Sequence, residues 1–274
     1  MLKMKECVPF EATLQTVLRS QEELPEFHTL LAQLRDLGFA GVELNLPDLE
    51  VIAPETLAGL LNEYGLRLTY LATGAYAKVR GLSLSSGDEQ VRKAAVEGCI
   101  ANLEYAGRAG VGVILGFFKG GPMEEETAAK AVLIRSLREI CAGTQAPGPI
   151  LLEATNRKET AVVRTLREAE EVLTAVGDPR LRILPDTYHM NIEETNSMAE
   201  VERLLPHICN LHLSDDNRYL PGLGSLEFGT ILRQLCDMGY KGTVGLEGNV
   251  KQTLAADLTE SAQALCSAAK ESLF

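Results

Sequence analysis

Four stretches of this chain carry one pattern. DLGFAGVEL, NEYGLRLTYL, RAGVGVILG and DMGYKGTVGLE each pass from helix-like residues through a glycine into a short apolar run. Gly38, Gly65, Gly110, Gly177 and Gly239 all fall just after a helical pattern and before a strand-like one. Glycine there can adopt the left-handed conformation that ends a helix. The repeated unit is therefore a βα unit. Candidate strands lie at roughly 3–9, 40–45, 66–72, 110–116, 149–154, 181–186, 207–214 and 242–247. Helical patterns occupy 88–109, 124–141, 159–176, 197–205, 225–238 and 254–271. In the first of these Val91, Ala95, Cys99, Ile100, Leu103 and Ala106 recur at the spacing of one buried face, and Ser85, Ser86 and Asp88 stand ready as caps. Eight units in 274 residues leave about 34 residues each, the size of one βα repeat. That number of alternating units favours a closed (β/α)8 barrel, a TIM barrel, over an open sheet. No linker or low-complexity tract interrupts the pattern, so residues 1–274 are expected to form one domain.

Composition narrows the function. An apolar fraction of 46% with 23% charged residues suits a packed core, not a disordered chain. The net charge is −12, and such a field repels phosphate backbones, so no nucleic-acid partner is expected. An excess of carboxylates suits divalent cations instead. Cys7, Cys99, Cys141, Cys209, Cys236 and Cys266 are scattered with no CxxC pair, which reads as buried thiols in a reducing compartment and not as a disulfide framework. The first residues, MLKMKECVPFEATLQ, lack the apolar stretch of a signal peptide, and no run approaches 18 apolar residues. A cytoplasmic location without membrane association is expected.

Reactive groups of such barrels sit at the carboxyl ends of the strands. Four strands end in ligating residues: GPILLEATN at Glu153, LRILPDTYH at Asp186, ICNLHLSDDN at His212 and TVGLEGN at Glu247. The intervals are 33, 26 and 35 residues, about one βα unit each. A carboxylate in an apolar run is costly to bury unless something neutralises it. Three converging carboxylates call for a cation. Three oxygen donors and one imidazole suit one Mn²⁺, Mg²⁺ or Co²⁺, with Zn²⁺ and Fe²⁺ also admitted. A structural ion pair explains any one of these acids equally well, but four in register argue for a site. Glu43 ends the second strand and either bonds within the site or pairs with a neighbour. His28 and His207 lie away from the strand ends and read as structural.

These motifs resemble the sugar isomerase/epimerase superfamily of xylose-isomerase-like barrels, and within it the ketose 3-epimerases. The likeness runs nearly the whole length and is sharpest over 150–250. It implies that Glu153, in LLEATNRKET, ligates metal and that Glu159 contacts substrate. It gives Asp186 as ligand and His189 as substrate contact in ILPDTYHM. In NLHLSDDNR it gives His212 as ligand and Arg218 as the substrate-binding arginine, and in VGLEGN Glu247 as the last ligand. PGLGSLEFG, residues 221–229, resembles the loop before the seventh helix. The implied reaction binds a hydroxyketone sugar to the cation, and Glu153 and Glu247 pass a proton through an enediolate. The chain departs from the family in two ways. It has no tryptophan to wall the sugar, a role open to Phe117 or Phe118. The segment TGAYAKVRGLSLSS, residues 73–86, is distinctive and should cover the pocket, with Lys78, Arg80 and Lys119 available for an anionic substituent.

Three rival functions remain on sequence grounds. A metal-dependent endonuclease of the endonuclease IV kind shares this barrel but needs more histidines than the four present. A dehydratase of the inosose or dehydroshikimate kind would begin with the same proton abstraction. A sugar-binding barrel has no need of two opposed carboxylates. A homo-oligomer is compatible with all of these.

Overall fold

The computed structural model describes residues 3–121 and 126–273. Its strands are β1 (Ala12–Val17), β2 (Gly41–Asn45), β3 (Arg67–Ala72), β4 (Gly112–Leu115), β5 (Ile150–Glu153), β6 (Leu181–Leu184), β7 (Asn210–Leu213) and β8 (Thr243–Leu246). The helices are α1 (Met4–Cys7), α2 (Leu24–Leu37), α3 (Pro54–Glu63), α4 (Gly74–Arg80), α5 (Glu89–Arg108) and α6 (Glu126–Gly143). They continue as α7 (Leu166–Val176), α8 (Thr187–Glu193), α9 (Ser197–Arg203), α10 (Phe228–Asp237) and α11 (Leu254–Leu273). All strands are parallel and hydrogen-bonded in the order β6-β5-β4-β3-β2-β1-β8-β7. Two single bridges, Ile183 to Ile208 and Asp186 to His212, close the ring between β6 and β7. Pro185 lies at this seam; it has no N–H to extend a ladder, but its carbonyl accepts from the His212 N–H at 2.8 Å. The (β/α)8 barrel expected from the glycine-punctuated repeats is the observed fold.

Local chemistry sets the element ends. Asp88 caps α5 by accepting from the N–H groups of Gln90 and Val91, and Thr165 caps α7 by accepting from Glu168. Gly38 ends α2 with φ of 80°, a conformation few other residues adopt cheaply. Three expectations are corrected. Residues 3–9 hold α1, not the first strand, and β1 follows at Ala12–Val17. Met4 and Cys7 are buried on α1, which packs on α11. The helix expected over 159–176 begins only at Leu166, because 154–165 is spent on a loop at the strand ends. Cys7 and Cys266 form a disulfide with Cα atoms 5.2 Å apart, joining α1 to α11, whereas Cys99, Cys141, Cys209 and Cys236 are free thiols. Of the helix expected over 124–141, residues 124 and 125 lie outside the described residues.

The barrel interior is divided. On the β3–β6 side Tyr70, Ala72, Ile114, Leu151 and Leu184 form a small buried apolar cluster separate from the main core. On the β1, β2 and β7 side Thr13, Glu43, Asn210 and His212 are buried and polar. Gly245 of β8 leaves room for them: a Cβ there would lie 2.4 Å from Glu43 Oε1. Among the described residues no helix is long and apolar enough to cross a membrane.

Candidate functional site

Glu153, Asp186, His212 and Glu247 meet at the carboxyl end of the barrel. One ligand-type atom from each lies within 4.8 Å of the others. His212 Nδ1 is 2.8 Å from Glu247 Oε2, 3.8 Å from Glu153 Oε1 and 3.9 Å from Asp186 Oδ2. Metal bonds of about 2.1 Å would put neighbouring octahedral donors about 3 Å apart and opposite ones about 4.2 Å apart. The His212 separations of 2.8 to 3.9 Å are close to those values.

The hydrogen bonds around this cluster are more telling than its shape. Among the described residues, seven buried side-chain nitrogen or oxygen atoms have no hydrogen-bond partner; four of them are Glu153 Oε1, His189 Nε2, His212 Nδ1 and Glu247 Oε2. Native proteins seldom leave such atoms unpaired, and four in one place mark a position that a ligand completes. The donor set fits one divalent cation.

The imidazole is aimed from behind. His212 donates from Nε2 to Glu43 Oε2 at 2.7 Å. Glu43 is itself fully buried, and its Oε1 accepts from Asn210 Nδ2 at 2.8 Å and Thr13 Oγ1 at 3.1 Å. Of the two readings left open for Glu43, the structure places it behind the site. This arrangement fixes the proton on Nε2 and turns Nδ1 toward the three acids. Burial opposes a charged His212, but Glu43, Glu153 and Glu247 outweigh it and lift the imidazole pKa well above its ordinary value. The surroundings demand positive charge at Nδ1, which a proton or a metal ion supplies.

Arg218 meets part of the same demand. It donates from Nη1 to Asp186 Oδ2 and from Nη2 to Glu247 Oε1, both at 2.7 Å, while its guanidinium lies 4.9 Å from the Tyr188 ring centre. Burial would raise the Glu247 carboxyl, yet Arg218 and His212 hold it below the usual carboxylate range. Arg218 sits at φ of 63°, and the turn that presents it is built by Asp215. The Asp215 carboxylate accepts from the N–H groups of Gly222, Gly224 and Leu226 at 2.8, 2.9 and 3.0 Å. Nothing in the sequence distinguished Asp215 except an acidic pair preceding a glycine-rich loop.

His189 lies on α8, whose N-terminus is capped by Asp186. Its Nε2 stands 3.7 Å from Glu153 Oε1. Glu159 is at the rim and accepts from Asn156 Nδ2 at 3.2 Å. All of Glu153, Glu159, His189, Arg218 and Glu247 line one cavity of about 140 Å³, so the structure brings the substrate-contact candidates beside the ligand candidates. Gly116 makes space for this: a Cβ there would lie 2.2 Å from Glu153 Oε2.

The other candidates separate. Phe117 is exposed and lines the cavity, whereas Phe118 is buried in the core. Within 73–86 only Thr73 and Gly74 line it. Arg80 stacks 3.9 Å over Tyr76, lies 3.8 Å from Asp48 and is not among the cavity's lining residues. Lys119 is fully buried, with Nζ donating to Thr155 Oγ1 at 2.6 Å and to the Gly116 carbonyl at 3.3 Å, so it is not among the cavity's lining residues. Burial pushes its ammonium pKa down to about 8 against the pull of Glu153, Glu159 and Glu168. His28 is exposed on α2, bonded to the Tyr64 hydroxyl at 2.8 Å, and His207 lies in a 3-10 turn before β7.

Known proteins share this fold. A family model described as "Xylose isomerase-like TIM barrel" matches residues 31–268. The ketose 3-epimerase of Arthrobacter globiformis is 30% identical over 231 residues, covering 82% of this chain and 78% of that protein. The D-psicose 3-epimerase of Enterocloster bolteae is 27% identical over 265 residues, covering 89% and 87%. The crystal structure of 3-keto-D-glucoside 4-epimerase from E. coli superposes with a TM-score of 0.77 at 23% identity, covering 94% of this chain and 99% of that one. The chain belongs to the xylose isomerase-like TIM barrel family.

Proposed function

We propose that the chain is a divalent-cation-dependent sugar epimerase or isomerase that moves a proton on the carbon beside the carbonyl of a ketose. One observation carries this reading: Glu153 Oε1, Glu247 Oε2, His189 Nε2 and His212 Nδ1 are all buried without a hydrogen-bond partner, and Glu153, His189 and Glu247 line one cavity. The relatives named as ketose and D-psicose 3-epimerases point to a ketose as substrate.

Glu153, Asp186, His212 and Glu247 would hold the cation, with Mn²⁺, Mg²⁺ or Co²⁺ suiting three carboxylates better than Zn²⁺ or Fe²⁺. When bound, it supplies Lewis-acid polarisation of the sugar oxygens, which acidifies the neighbouring C–H. Glu153 on β5 and Glu247 after β8 stand three strands apart on the ring. One takes the proton from carbon, and the other returns a proton on the opposite face. Glu247 Oε2 faces His212 Nδ1 and the cation position, so Oε1, which Arg218 meets here, is the oxygen that would serve carbon once Arg218 turns to the sugar. His189 and Glu159 position the sugar hydroxyls, Arg218 pairs with its oxygens, and Phe117 walls the cavity.

The test is incubation with Mn²⁺ and a panel of ketoses in D₂O. Deuterium entering the carbon beside the carbonyl, with a changed sugar, is the expected result. Exchange accompanied by loss of water would assign a dehydratase instead, and no exchange with any ketose would overturn the reading.

A further inference from the structure

Two of the three proposed sugar contacts, His189 and Glu159, hang on one residue that the reaction itself does not use. Asn156 is fully buried three residues beyond Glu153. Its carbonyl Oδ1 accepts from the Lys158 N–H at 2.9 Å, which fixes the direction of the amide. Its Nδ2 is therefore the end that faces the site. Nδ2 lies 2.8 Å from His189 Nδ1 and 3.2 Å from Glu159 Oε1. The Asn156 backbone N–H also donates to His189 Nδ1, at 3.2 Å. Its carbonyl then accepts from the N–H groups of Glu159 and Thr160 at 2.9 and 3.2 Å, closing the turn that carries Glu159.

Two N–H donors converge on His189 Nδ1. A ring nitrogen that faces two donors must offer its lone pair, so the imidazole proton resides on Nε2. Nε2 is buried, has no partner, and points toward Glu153 Oε1 at 3.7 Å. We propose that Asn156 is a positioning residue that locks His189 in the Nε2–H tautomer while holding Glu159 as an acceptor. The site then shows the sugar one fixed donor and one fixed acceptor. A hydroxyl group, which both accepts and donates, matches that pair. This rests on the reading of His189 and Glu159 as sugar contacts, but the lock can be measured without any sugar.

The experiment is nitrogen NMR of protein labelled with 15N-histidine and loaded with diamagnetic Mg²⁺. Only four histidines contribute, and His189→Gln identifies the signals of His189. In the unsubstituted protein His189 should be protonated at Nε2 and bare at Nδ1. Asn156→Asp puts a carboxylate oxygen where Nδ2 was, so Nδ1 should gain a proton. Asn156→Ala keeps the backbone donor and should retain the tautomer while freeing Glu159. With D-fructose as probe, kcat/KM should fall about tenfold or more in both variants, the loss of one well-made hydrogen bond to substrate, mainly through KM in Asn156→Ala. A proton on Nδ1 in the unsubstituted protein would overturn the proposal without any variant. So would a folded Asn156→Asp protein with Nδ1 still bare, or unchanged kcat/KM in both variants. If the tautomer is as stated but no ketose is turned over, the lock stands and the functional reading fails.

Discussion

Replacing Glu43 by glutamine should weaken cation binding although Glu43 lies outside the set of four ligands. Three donors converge on its two oxygens: His212 Nε2 on one, Asn210 Nδ2 and Thr13 Oγ1 on the other. The Asn210 amide cannot simply turn round, because its Oδ1 accepts from Thr243 Oγ1 at 2.7 Å. A glutamine brings an NH₂ group into this nest of donors. If that group faces Asn210, two donors collide there. If it faces His212, the ring must release its Nε2 proton and carry it on Nδ1 instead, where the cation would bind. Losing such a partner behind a metal-bound imidazole typically costs 10- to 100-fold in affinity, about 1.4–2.7 kcal/mol. The unmatched buried donor should cost about 1–3 kcal/mol of folding stability as well. Calorimetric titration of the metal-free protein with Mn²⁺, wild type against Glu43→Gln, measures the first; urea unfolding measures the second. Equal Mn²⁺ affinity in a folded Glu43→Gln protein would refute the idea that Glu43 aims His212.

Glu153→Gln and Glu247→Gln should each lower kcat by at least about a hundredfold, the usual size of a general-base contribution; near-normal turnover with metal bound would place the acid–base groups elsewhere. Arg218→Ala should raise KM while the stoichiometry stays at one cation per chain by calorimetry, and loss of the metal would make Arg218 a support of the ligands instead. Lys119 gives a pH dependence of known sign. Its folded pKa of about 8 is below the ordinary lysine value of about 10.4, so between these the unfolded chain holds more protons and stability rises with pH. The rise should be about 2 kcal/mol between pH 7.5 and 10 and be absent in Lys119→Met, read as the difference between urea midpoints of the two proteins at those two pH values.

The four strand-end residues were legible in the sequence because their spacing repeats one βα unit and because acids inside apolar runs need a reason. β1 was not. Its inward positions, Thr13 and Gln15, face the polar half of the interior and break the apolar pattern expected of a buried strand, whereas Met4, Cys7 and Val8 imitate one on and just after α1. The start of α7 was misplaced because 159–165 continues a periodic pattern but is held as loop by bonds such as Thr160 Oγ1 to the Gly120 carbonyl at 3.0 Å. The roles of Glu43 and Asn156 depend on partners across the ring: Glu43 meets His212 169 residues away. No local pattern carries such a pairing; strand register decides it.

The seam between β6 and β7 gives the barrel a mechanical character of its own. Neighbouring strands elsewhere in the ring share ladders of at least three paired residues, but here two isolated bridges do the closing. Topologically the sheet is a curled ribbon with its two ends pinned together. Asp186 and His212, one on each side of the gap, are themselves one of the pins. Any ligand gripping both side chains adds a further tie across a gap that the backbone closes only sparsely. By mass action the hoop then tightens with ligand concentration, and the backbone amides of β6 and β7 are where a breathing barrel would first exchange with solvent.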